Sequence, residues 1–110
     1  MANGIKAEQQ AAAYLLRQGL TLRERNFRCR MGEIDLIMYE GAMLVFVEVR
    51  QRSSLKYGGA IASIDRRKQQ KIILAAQFYL ARLTNLPPCR FDAVLIEGDA
   101  IKWLRNAFGA

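Results

Sequence analysis

The stretch from Gly32 to Arg52, "GEIDLIMYEGAMLVFVEVRQR", constrains the fold more than any other part of the chain. Its second half is apolar on both faces up to Val47, the pattern of a central strand covered on each side. Glu40-Gly41 marks a tight turn between the two halves, so the segment is expected to form a β-hairpin. A hairpin buried on both faces needs a layer above and a layer below it. That requirement points to a three-layer α/β domain.

The flanking segments supply the layers. Gly4 to Gln18 is alanine-rich, and Ile5, Ala12, Leu15 and Leu16 form a stripe at helical spacing before Gly19 supplies a stop. Glu8 lies on the same stripe, where a carboxylate is costly unless something pairs with it. A second helix is expected from about Ile64 or Asp65 to Leu83, with Ile72, Ala75, Tyr79 and Leu83 inward. "TNLPP" ends it.

"TLRERNFRCR" reads as a charged edge strand before the hairpin. "RFDAVLIEG" and "AIKWLRNAF" read as two strands joined by Gly98-Asp99, with Trp103 filling the far edge of the core. The order is helix, three strands, helix, two strands. A strand, a long helix and another strand favour a parallel right-handed crossover, while the preceding strands form an antiparallel meander, so the sheet is mixed. With 110 residues, the chain is read as a single domain, 1–110.

The chain carries 17 Lys and Arg against 10 Asp and Glu, with no His, a formal charge of +7. That field favours polyanions such as nucleic acid and equally suits an anionic membrane surface, or serves solubility alone. Cys29 and Cys89 stand far apart with no C-x-x-C pair, so neither a disulfide framework nor a zinc site is expected. "MANGIKAEQQ" lacks the apolar run of a secretory signal, and "AAAYLL" and "AMLVFV" are far short of a membrane span. The expected location is cytoplasmic, without membrane attachment.

The acids in the hairpin need an explanation. A turn centred on Glu40-Gly41 makes Glu33 face Glu48 and Asp35 face Phe46, and puts Glu33, Asp35, Glu48 and Arg50 on one side of the sheet. Asp35 is then a diagonal neighbour of Glu48, roughly 7 Å away between β-carbons. Two arrangements relieve such crowding. Arg50 and Arg52 neutralise Glu33 and Glu48 in an ion-pair network, or a divalent cation binds, in which case oxygen ligands without histidine point to Mg²⁺ or Mn²⁺.

"GEIDLI", "LVFVEVRQR", "GGA...DRRKQQK" and "RFDAVLI", in this order, resemble the YraN-type family of small bacterial proteins. That family is similar to Holliday-junction resolvases and the PD-(D/E)xK nuclease superfamily. The resemblance spans nearly the whole chain. It implies a restriction-endonuclease-like α-β-β-β-α-β core, with a mixed sheet and helices on both faces. By the same resemblance Asp35 and Glu48 match the principal metal ligands, the backbone carbonyl of Val49 a third, and Glu8 the first-helix glutamate. Arg50 stands where the superfamily has its lysine.

Arginine stays protonated at any useful pH, so Arg50 orients water or stabilises charge on phosphate rather than acting as a general base. Lys68 shares a helical stripe with Ile64, Ile72 and Ala75. It either replaces the missing lysine or joins Arg66, Arg67 and Lys71, with Arg52 and Lys56, in phosphate contacts. Tyr57 is a stacking platform or a packing residue. The resemblance implies Mg²⁺- or Mn²⁺-dependent hydrolysis of DNA phosphodiesters, at branched or structured DNA, by a homodimer. The alternatives are a non-catalytic nucleic-acid-binding module that keeps the nuclease fold, and a protein-interaction domain with internal ion pairs.

Overall fold

In the computed structural model, residues 2–52 and 64–109 are described, with Ala2, Asn3 and Arg52 as backbone only. The elements are α1 (Ala2–Arg17), β1 (Thr21–Cys29), β2 (Gly32–Glu40), β3 (Met43–Arg52), α2 (Arg66–Leu80), β4 (Cys89–Glu97) and β5 (Ala100–Phe108). The five strands form one sheet in the order β1-β2-β3-β4-β5. β3 and β4 run parallel and every other neighbouring pair is antiparallel. This is the order expected from periodicity, β5 included, and its first six elements are the α-β-β-β-α-β core that the resemblance implies.

The two sheet faces have separate cores, which is why β3 is apolar throughout. On one face Ile37, Leu44, Phe46, Phe91 and Leu95 pack with Ile72, Ala75, Ala76 and Tyr79 of α2. On the other, Leu36, Met38, Val45, Val47, Val94 and Ile96 pack with Ala7, Ala11, Ala12 and Leu15 of α1. The α2 side is aromatic: Tyr79 meets Phe27 and Phe46 edge-on, and Phe46, Phe91 and Phe108 stack in sequence. The alanines let α1 approach its face closely. Its buried stripe is therefore Ala7, Ala11, Ala12 and Leu15, whereas Ile5 and Leu16, expected inside, are 55% and 46% exposed.

α2 begins later than its apolar pattern because Asp65 caps it, accepting from Lys68 N at 2.8 Å. It ends at Leu80, and Leu83, expected within the helix, packs against the core from the connection beyond.

The hairpin register differs from expectation by two residues. Ile37, not Asp35, faces Phe46, and the pairing runs from Leu36↔Val47 to Glu40↔Met43. The turn is therefore Gly41-Ala42. Gly41 occupies the first central position at φ 59°, in the left-handed region that glycine enters without steric cost. Because the slip is even, the faces are preserved.

The turn end of the sheet is tied by a charge network that periodicity does not show. Asp92 is fully buried at an irregularity in the β4-β5 pairing. Its carboxylate accepts from Arg90 Nε (2.9 Å), Trp103 Nε1 (2.9 Å) and the Asn106 backbone N–H (2.9 Å). Trp103 also packs edge-on against Tyr14. Arg90 and Arg105 both donate to Glu40, at 2.8 and 2.6 Å.

Hydrogen bonds from Arg105 and then Arg90 hold the Glu40 carboxyl down from 4.5 to about 2. A folded-state pKa below the unfolded value stabilises the protein above the unfolded value, and the benefit is lost as pH falls through the folded value. Wild type is thus expected to lose its stability advantage over Glu40→Gln as pH drops from 4.5 to 2. Thermal unfolding of both proteins across that interval checks it.

Candidate active site

The sheet's other end, away from the hairpin turn, holds the acids. Regular β2-β3 pairing stops at Leu36↔Val47, and beyond it the Asp35 side chain takes over: its Oδ2 accepts from Val49 N–H at 2.8 Å. The strands part here and leave a cleft of about 490 Å³, whose walls include Glu8, Glu33, Asp35, Glu48, Arg50 and Lys68.

Asp35 sits at a kink. Ile34 and Ile37 both pack in the α2-side core while Leu36 packs on the α1 side, so the strict alternation expected from Glu33 through Asp35 is broken. The neighbouring strand bends at the same level. Asn26 lies between the pairs Arg25↔Leu36 and Phe27↔Ile34, opposite Asp35, and adopts a left-handed conformation at φ 52°.

This kink brings together residues from both sheet faces. Glu48 and Arg50 project to the α2 side, where Arg50 Nη2 lies 2.8 Å and Lys68 Nζ 3.7 Å from Glu48 Oε2. Glu8 reaches the cleft from α1, and Asp35 lies close enough to both glutamates to act on the titration of each. Glu33 is at the rim, paired with Arg28 at 3.1 Å. Of the ion pairs expected here, Arg50 does take Glu48. Glu33 takes Arg28, and the Arg52 side chain lies outside the described residues.

The electrostatics follow from that crowding. Burial, then the Asp35 charge and hydrogen bond, push the Glu48 carboxyl up to about 8 against the pull of Arg50 and Lys68. Burial and Asp35 likewise raise Glu8, while a hydrogen bond from Asn26 lowers it. Asp35 and Glu48 are only 8% and 3% exposed, so solvent relieves little of the repulsion. Among the described residues, Arg50 Nε is buried without a hydrogen-bond partner. Also among them, no three acidic, thiol or imidazole side chains converge as a ready-made metal cage. The donors that face the cleft are carboxylate oxygens, as a hard divalent cation requires.

Arg66, Arg67 and Lys71 are exposed on the first turns of α2, next to half-buried Lys68. Lys56 and Tyr57 lie outside the described residues. Two residues at the site were missed by sequence reasoning. Arg28 was read only as an edge-strand charge. Asn26 carried a signal: asparagine is poor inside a strand but tolerant of the left-handed region. Replacing Asn26 with alanine is expected to cost about 1–2 kcal/mol from backbone conformation, and Asn26→Gly less; urea unfolding of the two variants tests this.

The family model for uncharacterised protein family UPF0102 matches residues 7–96, from the α1 segment bearing Glu8 to the end of β4. The chain belongs to the UPF0102 family. This is the YraN-type family that the motifs resemble. A UPF0102 protein of Janthinobacterium sp. (strain Marseille) is 55% identical over 107 residues, covering 97% of this chain and 87% of the relative. UPF0102 protein NE0719 of Nitrosomonas europaea is 58% identical over 108 residues, covering 96% and 92%. A relative from Methylobacillus flagellatus is 52% identical over 110 residues, covering 97% and 96%. The family match includes every acid of the cleft. Among the described residues, no helix is long and apolar enough to cross a membrane.

Proposed function

We propose that this UPF0102 protein binds nucleic acid and hydrolyses DNA phosphodiesters in a Mg²⁺- or Mn²⁺-dependent manner, with branched or structured DNA as substrate. The observation that carries the reading is that Glu8, Asp35 and Glu48, from separate elements, line one cleft beside Arg50 and Lys68. A carboxyl held near 8 by burial and a neighbouring acid is a group prepared to exchange its proton for a cation.

Asp35 and Glu48, with the Val49 carbonyl, would hold the ion, and Glu8 would bind it directly or through water. When bound, the ion supplies a lowered pKa for an attacking water and polarises the phosphate. The chain's own residues do the rest. Asp35 is oriented by the Val49 N–H. Arg50, which lines the cleft and keeps part of its side chain exposed, donates to phosphate oxygens and balances developing negative charge. Lys68 reaches Glu48 from α2 and stands in for the superfamily's lysine at the cleft. The basic residues of α2 hold flanking phosphates without reading sequence.

A second reading is supported by the ion pair between Arg50 and Glu48, which partly neutralises the acid without any metal. It keeps the nucleic-acid surface and drops hydrolysis. A Mn²⁺ titration of wild type and Glu48→Ala, followed calorimetrically and by cleavage of a junction substrate, separates the two. Metal binding and cleavage lost in the variant support the nuclease. Salt-sensitive DNA binding without Mn²⁺ binding or cleavage supports the module.

A further inference from the structure

A second cavity of about 320 Å³ adjoins the acid cleft, with Glu33 and Lys68 forming part of both walls. Its other lining residues are Arg28, Cys29, Gly32 and Lys71. Three cations therefore face one carboxylate in a concave site between β1, the start of β2 and the first turns of α2.

The site has a defined floor. A β-carbon at Gly32 would lie 3.0 Å from the Lys71 backbone oxygen, so glycine allows the start of β2 to lie directly against α2. That contact sets the start of β2 against the turn of α2 that carries Lys71, and both line the cavity with Arg28. Among the described residues Arg28 pairs with Glu33, and the two side chains are 76% and 46% exposed. An exposed pair of this kind is weak and readily exchanged. A phosphate offers the same guanidinium a charge-assisted, bidentate partner.

We infer that this cavity seats a backbone phosphate of the nucleic-acid strand, next to the phosphate held at the acid cleft. The strand then runs from the cleft over Glu33 towards β1, with Lys68 between the two phosphates and Arg28 and Lys71 gripping the second. The contact is to the backbone and carries no base preference. This rests on the nucleic-acid reading above and adds the strand's path and Arg28, a residue outside the α2 basic cluster.

The chain contains its own reporters. Cys29 is half-buried in the cavity lining, whereas Cys89 is exposed and pairs in register with Leu44, near the hairpin-turn end of β3. The full chain is alkylated with a small maleimide in EDTA, with and without a short single-stranded oligodeoxynucleotide, and modification at each cysteine is mapped by mass spectrometry. Fluorescence anisotropy of the labelled oligonucleotide measures binding independently.

Saturating oligonucleotide is expected to slow modification of Cys29 several-fold and leave Cys89 unchanged. The double variant Arg28→Gln, Lys71→Gln should lose this protection and reduce the magnitude of the slope of log affinity against log salt by about 0.7, the value for one single-strand phosphate. The charge-preserving pair Arg28→Lys, Lys71→Arg should restore both.

Binding by anisotropy with Cys29 unprotected, or with both cysteines protected alike, overturns this site and leaves the nucleic-acid reading standing. Equal protection by inorganic phosphate alone makes the cavity a small-anion site and overturns the strand path. Absence of any binding at low salt overturns the site and the reading together.

Discussion

Replacing Glu48 with glutamine is expected to abolish Mn²⁺ binding at the cleft and Mn²⁺-dependent cleavage, and at the same time to stabilise the metal-free protein at pH 8. The two effects have one cause. In the fold, burial and Asp35 push the Glu48 carboxyl from 4.5 up to about 8. A folded-state pKa above the unfolded value means that stability is lost as pH rises from the unfolded value through the folded one. Glutamine fills the same space and never ionises.

The advantage of Glu48→Gln should therefore be smallest near pH 4.5 and grow towards pH 8. Its growth should be on the order of a few kcal/mol, since the rise from 4.5 to about 8 already includes the pull of Arg50 and Lys68. Mn²⁺ should reverse the order by stabilising wild type and not the variant. Thermal unfolding at several pH values, with and without Mn²⁺, reads both effects. Wild-type Mn²⁺ affinity or persistent cleavage in the variant would remove Glu48 from the proposed metal site. Gains in stability at functional carboxylates are a recurring cost of placing charge where the fold does not favour it.

Asp92→Ala should have the largest effect on stability, a loss of about 3–5 kcal/mol, because it leaves Arg90 without its buried partner. It also strands the Trp103 Nε1–H and the Asn106 N–H, both of which donate to Asp92. For a domain whose total stability is about 5–15 kcal/mol, that is a large fraction. Asp92→Asn keeps an acceptor and should lose less. Equilibrium urea unfolding measures both variants. Since Asp92 serves the turn end of the sheet, the fraction of Asp92→Asn that remains folded should bind Mn²⁺ as wild type does. A loss of metal affinity in folded Asp92→Asn would contradict the separation of the two charge networks.

Much of the fold was legible because its signals are local. The apolar run through Val47 called for cover on both faces, and α1 and α2 provide it. Gly98-Asp99 is the turn between β4 and β5, as the alternation around it indicates. The hairpin turn falls one residue later than expected, which moves the pairing register by two. The position of Asp35 and Glu48 near each other survived because an even slip leaves every side chain on its own face. A slip of one would have separated them.

The site was less legible, since it depends on departures from regular structure. Alternation extrapolated through Glu33, Asp35 and Glu48 treats the strand as straight, whereas the chain kinks at Asp35 and Asn26. The helical stripe on α1 was also misjudged. Close packing against the sheet favours alanines, and it leaves larger Ile5 and Leu16 outside.

The sequence alone determined the element order, the doubly covered hairpin and the placing of Asp35 and Glu48 at its open end, because these follow from periodicities of two and 3.6 residues. Only the tertiary structure decided which cation each acid takes: Arg50 and Lys68 for Glu48, Arg28 for Glu33, Arg90 for Asp92. Such pairings span strands and faces. They depend on where a turn falls, where a strand bends and how closely a helix lies, and these are set by long-range packing.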